Sequence, residues 1–337
     1  MIMRIIEQIA EFKNIKKGCV LTIGNFDGVH IGHQEILSVA KRVAEQKQTE
    51  LIVMTFQPHP LGVLNPKKAP SILMPPVLKE RLLAEFGVGV LFVARSEPEL
   101  LSLRAEDFVE RFIVKGVRPS AIVEGEDFNF GAGRDGSVHT LQKLTEAKGI
   151  EVVIVGPKKT KVKSGQTIEV SSTVIRNIVT EGKMTDAAIL LGRPYRLIGR
   201  VVSGRGKGKQ LGFPTLNMEK PQQIIPPEGV YAGFVEIGNS EEQICSTKEK
   251  IPAVFSIGKA TTYGANQSLL IEAHLLVDDA ERFTGQLMAM DFIERIRSQQ
   301  KFGTEKKLAE QISKDCQEAR QILRNVVMRQ GVCDVWL

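Results

Sequence analysis

Two histidines three residues apart, His30 and His33, follow a glycine-bearing turn in the segment GNFDGVHIGHQ, residues 24–34. A turn uses glycine for its backbone conformation but has no need of an imidazole ring. At the amino terminus of a helix, side chains at positions i and i+3 can point the same way. The same terminus offers unpaired N–H groups and a positive dipole end, which favour phosphate. The segment therefore predicts a site that stabilises the charge developed when a nucleoside triphosphate is attacked at its α-phosphorus. The alternative is that one histidine caps the helix while the other packs.

The elements around this segment predict a parallel sheet. From residue 19 to about 156, short apolar segments alternate with segments of helical periodicity. Strands are predicted at CVLTIGNF, LIVMTF, VLFVA, SAIVE and EVVIVG, and helices at HQEILSVAKRVAEQ, VLKERLLAEF, AEDFVERFIV and VHTLQKLTEA. Such alternation gives a parallel sheet covered by helices on both faces. Because ligands bind off the carboxyl ends of such strands, the histidine pair falls where a ligand is expected.

The periodicity changes after Gly192 and Pro194. Two short helical segments, SSTVIRNIVTEG and MTDAAILLG, precede this boundary, and five candidate strands follow it. The strands, within residues 195–204, 229–238, 251–258, 268–277 and 286–293, predict a small antiparallel barrel or sandwich. The segment 304–325 predicts an amphipathic helix with one apolar face, formed by Leu308, Ile312, Cys316, Ala319 and Leu323. We expect two domains, residues 1–187 and 188–337.

A second set of side chains that could bind phosphate or metal lies in GRGKGKQLGFPTLN, residues 204–217. Its interleaved glycines and cations could wrap phosphates, although hairpin loops are often basic and glycine-rich as well. Thr215 and Asn217 would face the same way on an extended segment and offer the neutral oxygens that Mg²⁺ accepts. Glu272 lies among apolar residues in LLIEAHLLV, with His274 on the same strand face. It is either exposed at an edge, paired with an arginine, or a base that deprotonates an attacking alcohol.

Several segments of the first half, in order, resemble the bacterial bifunctional riboflavin kinase/FMN adenylyltransferases, also called FAD synthetases. GNFDGVHIGH resembles the G-x-F-D-x-x-H-x-G-H signature of nucleotidyltransferases, and TFQPHP, EDFVERFIVKGV, GEDFNFGAGRDG and VSSTVIRNIVTEG follow. The resemblance implies a Rossmann-like domain in which His30 and His33 are catalytic. It also implies ATP-binding and flavin-binding sets. The ATP set is Gly24, Asn25, Phe26, Asp27, Ser171, Thr173 and Arg176, and the flavin set is Phe56, Asp127 and Asn129.

Two of these segments also have structural explanations. The serines and threonine of VSSTVIR stand where helix caps belong, so they could cap a helix whose arginine is merely solvated. GEDFNFGAGRDG could be a surface loop with Phe128 and Phe130 tucked into the core. His59, between two prolines, is assigned no catalytic role.

From about residue 190 to 325 the chain resembles riboflavin kinase, through G-F-P-T-x-N, GVYAG, the E-x-H strand and the helix after IRSQQKF. The resemblance implies a Greek-key barrel with a C-terminal helix. It implies Glu272 as the catalytic base, Thr215 and Asn217 as Mg²⁺ ligands, and an ATP-binding set of Lys207, Gly208, Gly212, Thr215 and Asn217. Three departures lie around the substrate pockets: SIGKATTY (256–263) lacks the usual Asn and Pro, RFTG (282–285) lacks a Tyr, and Arg205 replaces an acid. An alternative is therefore an FMN adenylyltransferase with a decayed flavin-binding kinase domain.

Composition argues against membrane, secreted and nucleic-acid-binding proteins. Among 337 residues, 42% are hydrophobic and no apolar run reaches the roughly 18 residues of a membrane span. Arg4, Glu7 and Glu11 interrupt the first segment, unlike a secretory signal. Four cysteines, without a C-x-x-C pair, fit a reducing cytoplasm. A net charge of +6 with only 6% aromatic residues favours phosphorylated small molecules over nucleic acid.

The expected activity is FAD biosynthesis in two ATP-dependent steps. Riboflavin is phosphorylated to FMN by the C-terminal domain, and FMN is adenylylated to FAD by the N-terminal domain with release of pyrophosphate. We expect Mg²⁺ as the metal, no nucleic-acid or membrane partner, a cytoplasmic location, and a monomer or weak homo-oligomer.

Overall fold

The computed structural model describes residues 3–15, 17–204, 206–246, 250–259, 269–277, 283 and 285–330. Arg205, residues 260–263, Arg282, Thr284 and Cys333 lie outside the described residues, as does the side chain of Cys245. The chain divides into two compact units. The first contains residues 1–71, 78–160 and 167–171, and the second contains residues 72–77, 161–166 and 172–337. In the described ranges, no helix is both long and apolar enough to span a membrane.

The first unit is built on a parallel sheet. Its strand order is β1-β4-β3-β2-β5-β8, and every neighbouring pair is parallel. The strands of this part of the chain are β1 (Arg4–Ile6), β2 (Val20–Ile23), β3 (Leu51–Gln57), β4 (Val90–Arg95), β5 (Ala121–Gly125), β6 (Asn129–Phe130), β7 (Gly136–Ser137), β8 (Glu151–Val155), β9 (Lys159–Lys161) and β10 (Thr167–Glu169). The predicted parallel sheet is confirmed. β1 was not expected, because three residues are too short for a periodicity to show.

Four of the helices that connect the strands lie at the predicted positions, and two short ones, Pro60–Leu64 and Pro98–Leu101, were not predicted. They are α1 (Ile31–Gln46), α2 (Pro60–Leu64), α3 (Pro76–Glu85), α4 (Pro98–Leu101), α5 (Ala105–Phe108) and α6 (Val138–Glu146). A π-helical segment, Val109–Val117, continues α5, and 3₁₀ turns occupy Ile9–Asn14, Pro66–Lys68 and Ala132–Arg134. Leu37, Ala40 and Ala44 form the buried side of α1. Phe12 meets Phe92 of β4 edge to face at 5.1 Å in the core.

The strand order reverses at β2, which creates a crevice at its carboxyl end. β2 pairs with β3 on one side and with β5 on the other. The chain runs outward from β2 through β3 and β4 and then returns to β5. Ligands bind at such a reversal in open parallel sheets. The segments that begin at Gly24 and Glu126 follow the two strands that flank the reversal, so they are the segments placed to meet a ligand.

The second unit contains a closed six-stranded antiparallel barrel in the order β11-β12-β15-β14-β13-β16, a Greek-key arrangement. The strands are β11 (Tyr195–Val202), β12 (Leu216–Met218), β13 (Gly229–Gly238), β14 (Ile251–Lys259), β15 (Leu269–Leu275) and β16 (Leu287–Arg297). The helices are α7 (Ser172–Thr180), α8 (Met184–Leu191), α9 (Lys207–Gln210), α10 (Glu241–Ser246) and α11 (Glu305–Gln330). The predicted barrel is confirmed. The expectation of five strands missed β12, which is only three residues long.

The barrel has an aromatic interior and an outer face partly covered by α11. Inside, Tyr231 and Phe255 both meet Phe292 edge to face, with centroids 5.3 and 4.9 Å from it. Outside, Val230 of β13 packs with Cys316 and other residues of the apolar face predicted for α11. Successive residues of a strand, such as Val230 and Tyr231, therefore pack on the outer face and in the interior of the barrel, respectively.

Candidate active sites

His30 and His33 come together at the mouth of α1. Their rings stack with centroids 3.6 Å apart and planes inclined by 16°. His30 is the N-cap of α1, and its Nδ1 accepts the backbone N–H of His33 at 3.3 Å. His30 is 5% exposed and His33 is half-buried. Because Nδ1 accepts a hydrogen bond, a neutral His30 carries its proton on Nε2. The cap and the expected phosphate donor are therefore compatible roles of one ring.

The turn before these histidines is backbone-strained. Phe26 and Val29 have φ values of 48° and 35°, which non-glycine residues rarely adopt, and Gly28 lies at 90°. Phe26 and Val29 are almost fully buried, so packing maintains this conformation. A Cβ on Gly32 would lie 3.2 Å from Nδ1 of His30, so glycine allows the ring to fold over the first turn. Strain of this kind concentrates at functional sites.

A half-buried lysine that the sequence reasoning missed adjoins this turn. The Nζ of Lys79 donates to the carbonyl of Asn25 and to the hydroxyl of Thr55, both at 3.3 Å. Burial lowers the pKa of Lys79, while the carboxylates of Asp27 and Glu80 act in the opposite direction. The amide of Asn25 also lies 3.3 Å from the Nε2 of His59. Lys79 of α3 thus places an amino group at the carboxyl ends of β2 and β3, beside the predicted ATP residues Asn25 and Asp27.

In the loop after β5, the phenylalanines pack into the core while the polar residues stay exposed, so the structural and the binding interpretations are compatible. Phe130 is 8% exposed, and Phe128 packs partly buried against the same core, with ring centroids 5.4 Å apart. The tucked phenylalanines are therefore confirmed. Asp127 and Asn129 are exposed, and the Asn129 amide donates to the carbonyl of Asp127 at 2.6 Å. The polar residues remain accessible while the rings fasten the loop. Phe56 of β3 packs partly buried against the same core.

Ser171, Thr173 and Arg176 lie where the chain passes from the first unit to the second. Ser171 belongs to the first unit, and α7 begins at the next residue, in the second unit. Thr173 is exposed in the first turn of α7, and Arg176 is half-buried one turn further along. Gly24 is half-buried at the end of β2, where its N–H donates to the carbonyl of Met54.

The barrel brings the predicted kinase residues together on its outer face. Register pairs Asn217 of β12 with Glu272 of β15, and Glu272 with Ser256 of β14. Directly opposite residues share a face, so these side chains form a row across three strands. The hydroxyl of Thr215 donates to Oε1 of Glu272 at 3.4 Å. Glu272 is half-buried, while its neighbours Ile271 and Ala273 are buried on the opposite side of the strand.

His274 and the glycines support this row. The Nδ1 of His274 lies 2.8 Å from the carbonyl of Pro214, and its ring meets Phe213 edge to face. These contacts anchor the residues just before Thr215. A Cβ on Gly204 would collide with the amide of Asn217, so glycine allows the loop to approach it.

The basic segment that follows Gly204 is more ordered than a flexible loop. Lys207 to Gln210 form α9, a single helical turn that contains Gly208, and Gly212 follows it with a φ of 84°. A Cβ on Gly208 would collide with the carbonyl of Phe213, so glycine is needed where this turn meets the segment before Thr215. Gly208 therefore lies close to Thr215, while Lys207 is exposed.

Two open cavities lie away from these sites. One, of about 590 Å³, lies along α6 and β8 and includes His139 and Lys143. The other, of about 430 Å³, lies along α11 and includes Arg320 and Arg324. Neither lining contains a predicted site residue.

Two family models match this chain, one in each half. A family model of FAD synthetase matches residues 12–174, and one of riboflavin kinase matches residues 191–323. The chain is thus a transferase with a nucleotidyltransferase domain and a kinase domain. The bifunctional riboflavin kinase/FMN adenylyltransferase of Escherichia coli (strain K12) is 36% identical over 307 residues, covering 91% of this chain and 93% of that protein. The corresponding protein of Bacillus subtilis (strain 168) is 34% identical over 312 residues, covering 91% and 93%. The chain belongs to the bifunctional riboflavin kinase/FMN adenylyltransferase family.

A solved structure shares the fold along nearly the whole chain. It is the crystal structure of a macrolide-efflux protein from Streptococcus pneumoniae, with a TM-score of 0.79, 28% identity, and coverage of 95% of this chain and 99% of that one. The predicted family, fold class and enzyme class are all confirmed. The comparisons give no support to the alternative of a decayed kinase domain.

Proposed function

We propose that this chain converts riboflavin to FAD through FMN, using ATP in both steps. The C-terminal domain transfers the γ-phosphoryl group of ATP to the 5′-hydroxyl of riboflavin. The N-terminal domain, which we place at residues 1–187, transfers AMP from a second ATP to the phosphate of FMN and releases pyrophosphate. One observation supports the proposal: each matched domain brings its own candidate side chains together, the stacked histidines in one and the hydrogen-bonded Thr215 and Glu272 in the other.

In the adenylyl step, a phosphate oxygen of FMN attacks the α-phosphorus of ATP, and the bond to pyrophosphate breaks. Negative charge grows on the α-phosphate oxygens. The Nε2–H of His30, the ring of His33 and the amino end of α1 stabilise this charge, since donors fixed in place need not reorganise. Because His30 is held by its cap bond, its donor is already oriented.

The remaining N-terminal residues hold the two substrates. Gly24, Asn25, Phe26 and Asp27 form the turn that receives ATP, and Ser171, Thr173 and Arg176 contact its phosphates. Asp127 and Asn129 bind FMN from the loop after β5, with Phe56 against the flavin. For the residues that follow β2 and β5, support comes from position, because the segments from Gly24 and Glu126 flank the reversal of strand order.

In the kinase step, Glu272 accepts the proton of the riboflavin 5′-hydroxyl as its oxygen attacks the γ-phosphorus. Lys207, Gly208 and Gly212 hold the phosphates of ATP from α9 and the turn after it. The oxygens of Thr215 and Asn217 share a face with the Glu272 carboxylate and fit Mg²⁺, which prefers oxygen ligands. When bound there, Mg²⁺ supplies neutralisation of phosphate charge.

We further propose a cytoplasmic monomer or weak homo-oligomer that binds neither nucleic acid nor membranes. Cys19 and Cys316 support a reducing compartment, because both are buried free thiols. Burial raises the pKa of Cys19 to about 12 and that of Cys316 to about 11, so neither forms a reactive thiolate at neutral pH.

The test is incubation of the purified protein with riboflavin, ATP and Mg²⁺, followed by separation of the flavins. FMN should appear first and FAD should follow. FAD formed only when FMN is supplied would identify a decayed kinase domain. Formation of neither product would refute the proposed function.

A further inference from the structure

A buried acid lies at the reversal of the parallel sheet. Glu124, the penultimate residue of β5, is only 2% exposed. The backbone N–H of Ile23, the last residue of β2, donates to its Oε1 at 2.5 Å. The carboxyl group therefore connects the ends of the two strands that flank the crevice.

This side chain replaces a missing part of the backbone ladder. β2 and β5 are in register only at Val20↔Ala121 and Leu21↔Ile122. By contrast, β2 stays paired with β3 as far as Ile23↔Met54. The N–H of Gly24 points to β3, because it donates to the carbonyl of Met54. The N–H of the preceding residue therefore faces β5, where it meets the carboxyl of Glu124 instead of a backbone carbonyl.

The environment favours the neutral acid. Burial raises the pKa of Glu124 well above its usual range, and the carboxylate of Asp127 adds to the effect. The backbone N–H of Ile23 and the hydroxyl of Thr22 act in the opposite direction without overcoming burial. A neutral group at this point holds the strands without adding negative charge beside a site for phosphates.

We propose that Glu124 is a positioning residue for adenylyl transfer, which fixes the separation between the segment 24–27 after β2 and the segment 126–129 after β5. The inference rests on the proposed function, because these segments hold ATP and FMN. Asp127 lies against the end of β5, at the residue that follows Glu124. A Cβ on Gly125 would lie 2.9 Å from Oδ1 of Asp127, so this side chain folds back onto the end of β5. A shift of the strand end moves Asp127 with it.

Two substitutions of similar size separate positioning from packing. Glu124→Gln keeps an oxygen acceptor for the N–H of Ile23, whereas Glu124→Met fills the space without one. We expect Glu124→Met to lower kcat of FMN adenylylation about 10- to 100-fold, since small misplacements of reactants are costly in rate. Any rise in the KM values for ATP and FMN should be smaller than the fall in kcat, because the binding groups remain and only their separation changes. Glu124→Gln should restore kcat to within about threefold of the parent.

The controls use the same protein samples. Riboflavin phosphorylation should be unchanged in both variants and reports an intact C-terminal domain, while the circular dichroism spectrum of each variant, compared with the parent, reports folding of the N-terminal domain. Glu151→Gln makes the same chemical change at an exposed position of β8 and should leave both reactions at parental rates. If Glu124→Met yields no folded protein, Glu124→Asp replaces it, because its shorter side chain withdraws the acceptor from Ile23 and should lower kcat similarly.

Three results would overturn the inference. They are parental kcat in Glu124→Met, failure of Glu124→Gln to restore the rate, and a loss expressed only as raised KM values. A parent protein that makes no FAD from FMN would instead refute the proposed function.

Discussion

The ring of His30 lies flat against the ring of His33, with centroids 3.6 Å apart, and its Nδ1 accepts the His33 backbone N–H. The cap leaves the Nε2–H of His30 as the donor. The same ring thus stabilises the helix terminus and is proposed to stabilise the transition state.

His30→Ala should lower the rate of FAD formation from FMN about 10²- to 10³-fold, because it removes one preorganised donor to the α-phosphate. Riboflavin phosphorylation in the same sample should be unaffected. Both rates can be measured by separating the flavins.

The variant His30→Asn separates the role of His30 as a helix cap from its proposed role in adenylyl transfer. Asparagine is a good N-cap and should preserve the thermal stability of the protein, but it places no imidazole N–H at the phosphate. FAD formation should stay low in this variant. Parental FAD formation in His30→Asn would mean that His30 only caps the helix.

Glu272→Gln should abolish FMN formation, because the amide cannot accept the proton of the riboflavin hydroxyl. Adenylylation of supplied FMN should continue at the parental rate. Glu219→Gln is the matched control, since Glu219 is exposed just beyond β12. Riboflavin phosphorylation at the parental rate in Glu272→Gln would show that Glu272 serves the barrel and not the reaction.

The buried ion pair between Arg297 of β16 and Asp315 of α11 should stabilise the docking of this helix. Two hydrogen bonds of 2.9 and 2.6 Å join them, and the Asp315 side chain is 3% exposed. Arg297→Met leaves this carboxylate without its cation and should lower the free energy of unfolding by about 3–5 kcal/mol. Lys163→Met breaks the exposed pair with Glu294 and should cost less than about 1 kcal/mol. Urea denaturation measures both free energies of unfolding. Equal losses in the two variants would contradict a stabilising role for the buried ion pair.

Glu124→Gln should change how stability depends on pH. The folded-state pKa of Glu124 is raised by burial, so its contribution is complete below the ordinary glutamate pKa of 4.5 and is lost as pH rises towards the folded-state value. The glutamine variant has no such loss. Its melting temperature relative to the parent should therefore increase between about pH 5 and about pH 8. A constant difference would show that Glu124 titrates normally in the folded protein.

Much of the fold follows from local sequence patterns. β13 occupies the predicted residues 229–238, because a largely apolar segment of ten residues, nearly all of them buried, begins and ends with glycine. β1 and β12 escaped prediction because each has three residues and is a strand only through its partners. Pairing between Arg4 and Val90 joins positions 86 residues apart, which no local pattern reveals.

The same limit applies to the sites. The histidine pair and Glu272 are predictable as candidates because their residue types are unusual at their spacing or in their strand. Glu124 has the same signal as Glu272, an acid in an otherwise apolar strand, but the sequence does not show what it contacts. Its role depends on Ile23, which lies 101 positions away. Lys79 looked like one charge of an ordinary helix, and only its contacts with Asn25 and Thr55 place it at the site.

The fate of labelled phosphorus tests the central claim most directly. The protein is given riboflavin, Mg²⁺ and ATP labelled at either the α- or the γ-phosphorus, and the flavins are separated. The account predicts γ-label in FMN, and in FAD one phosphorus from the γ-position and one from the α-position. FMN without γ-label, or FAD without α-label, would contradict it.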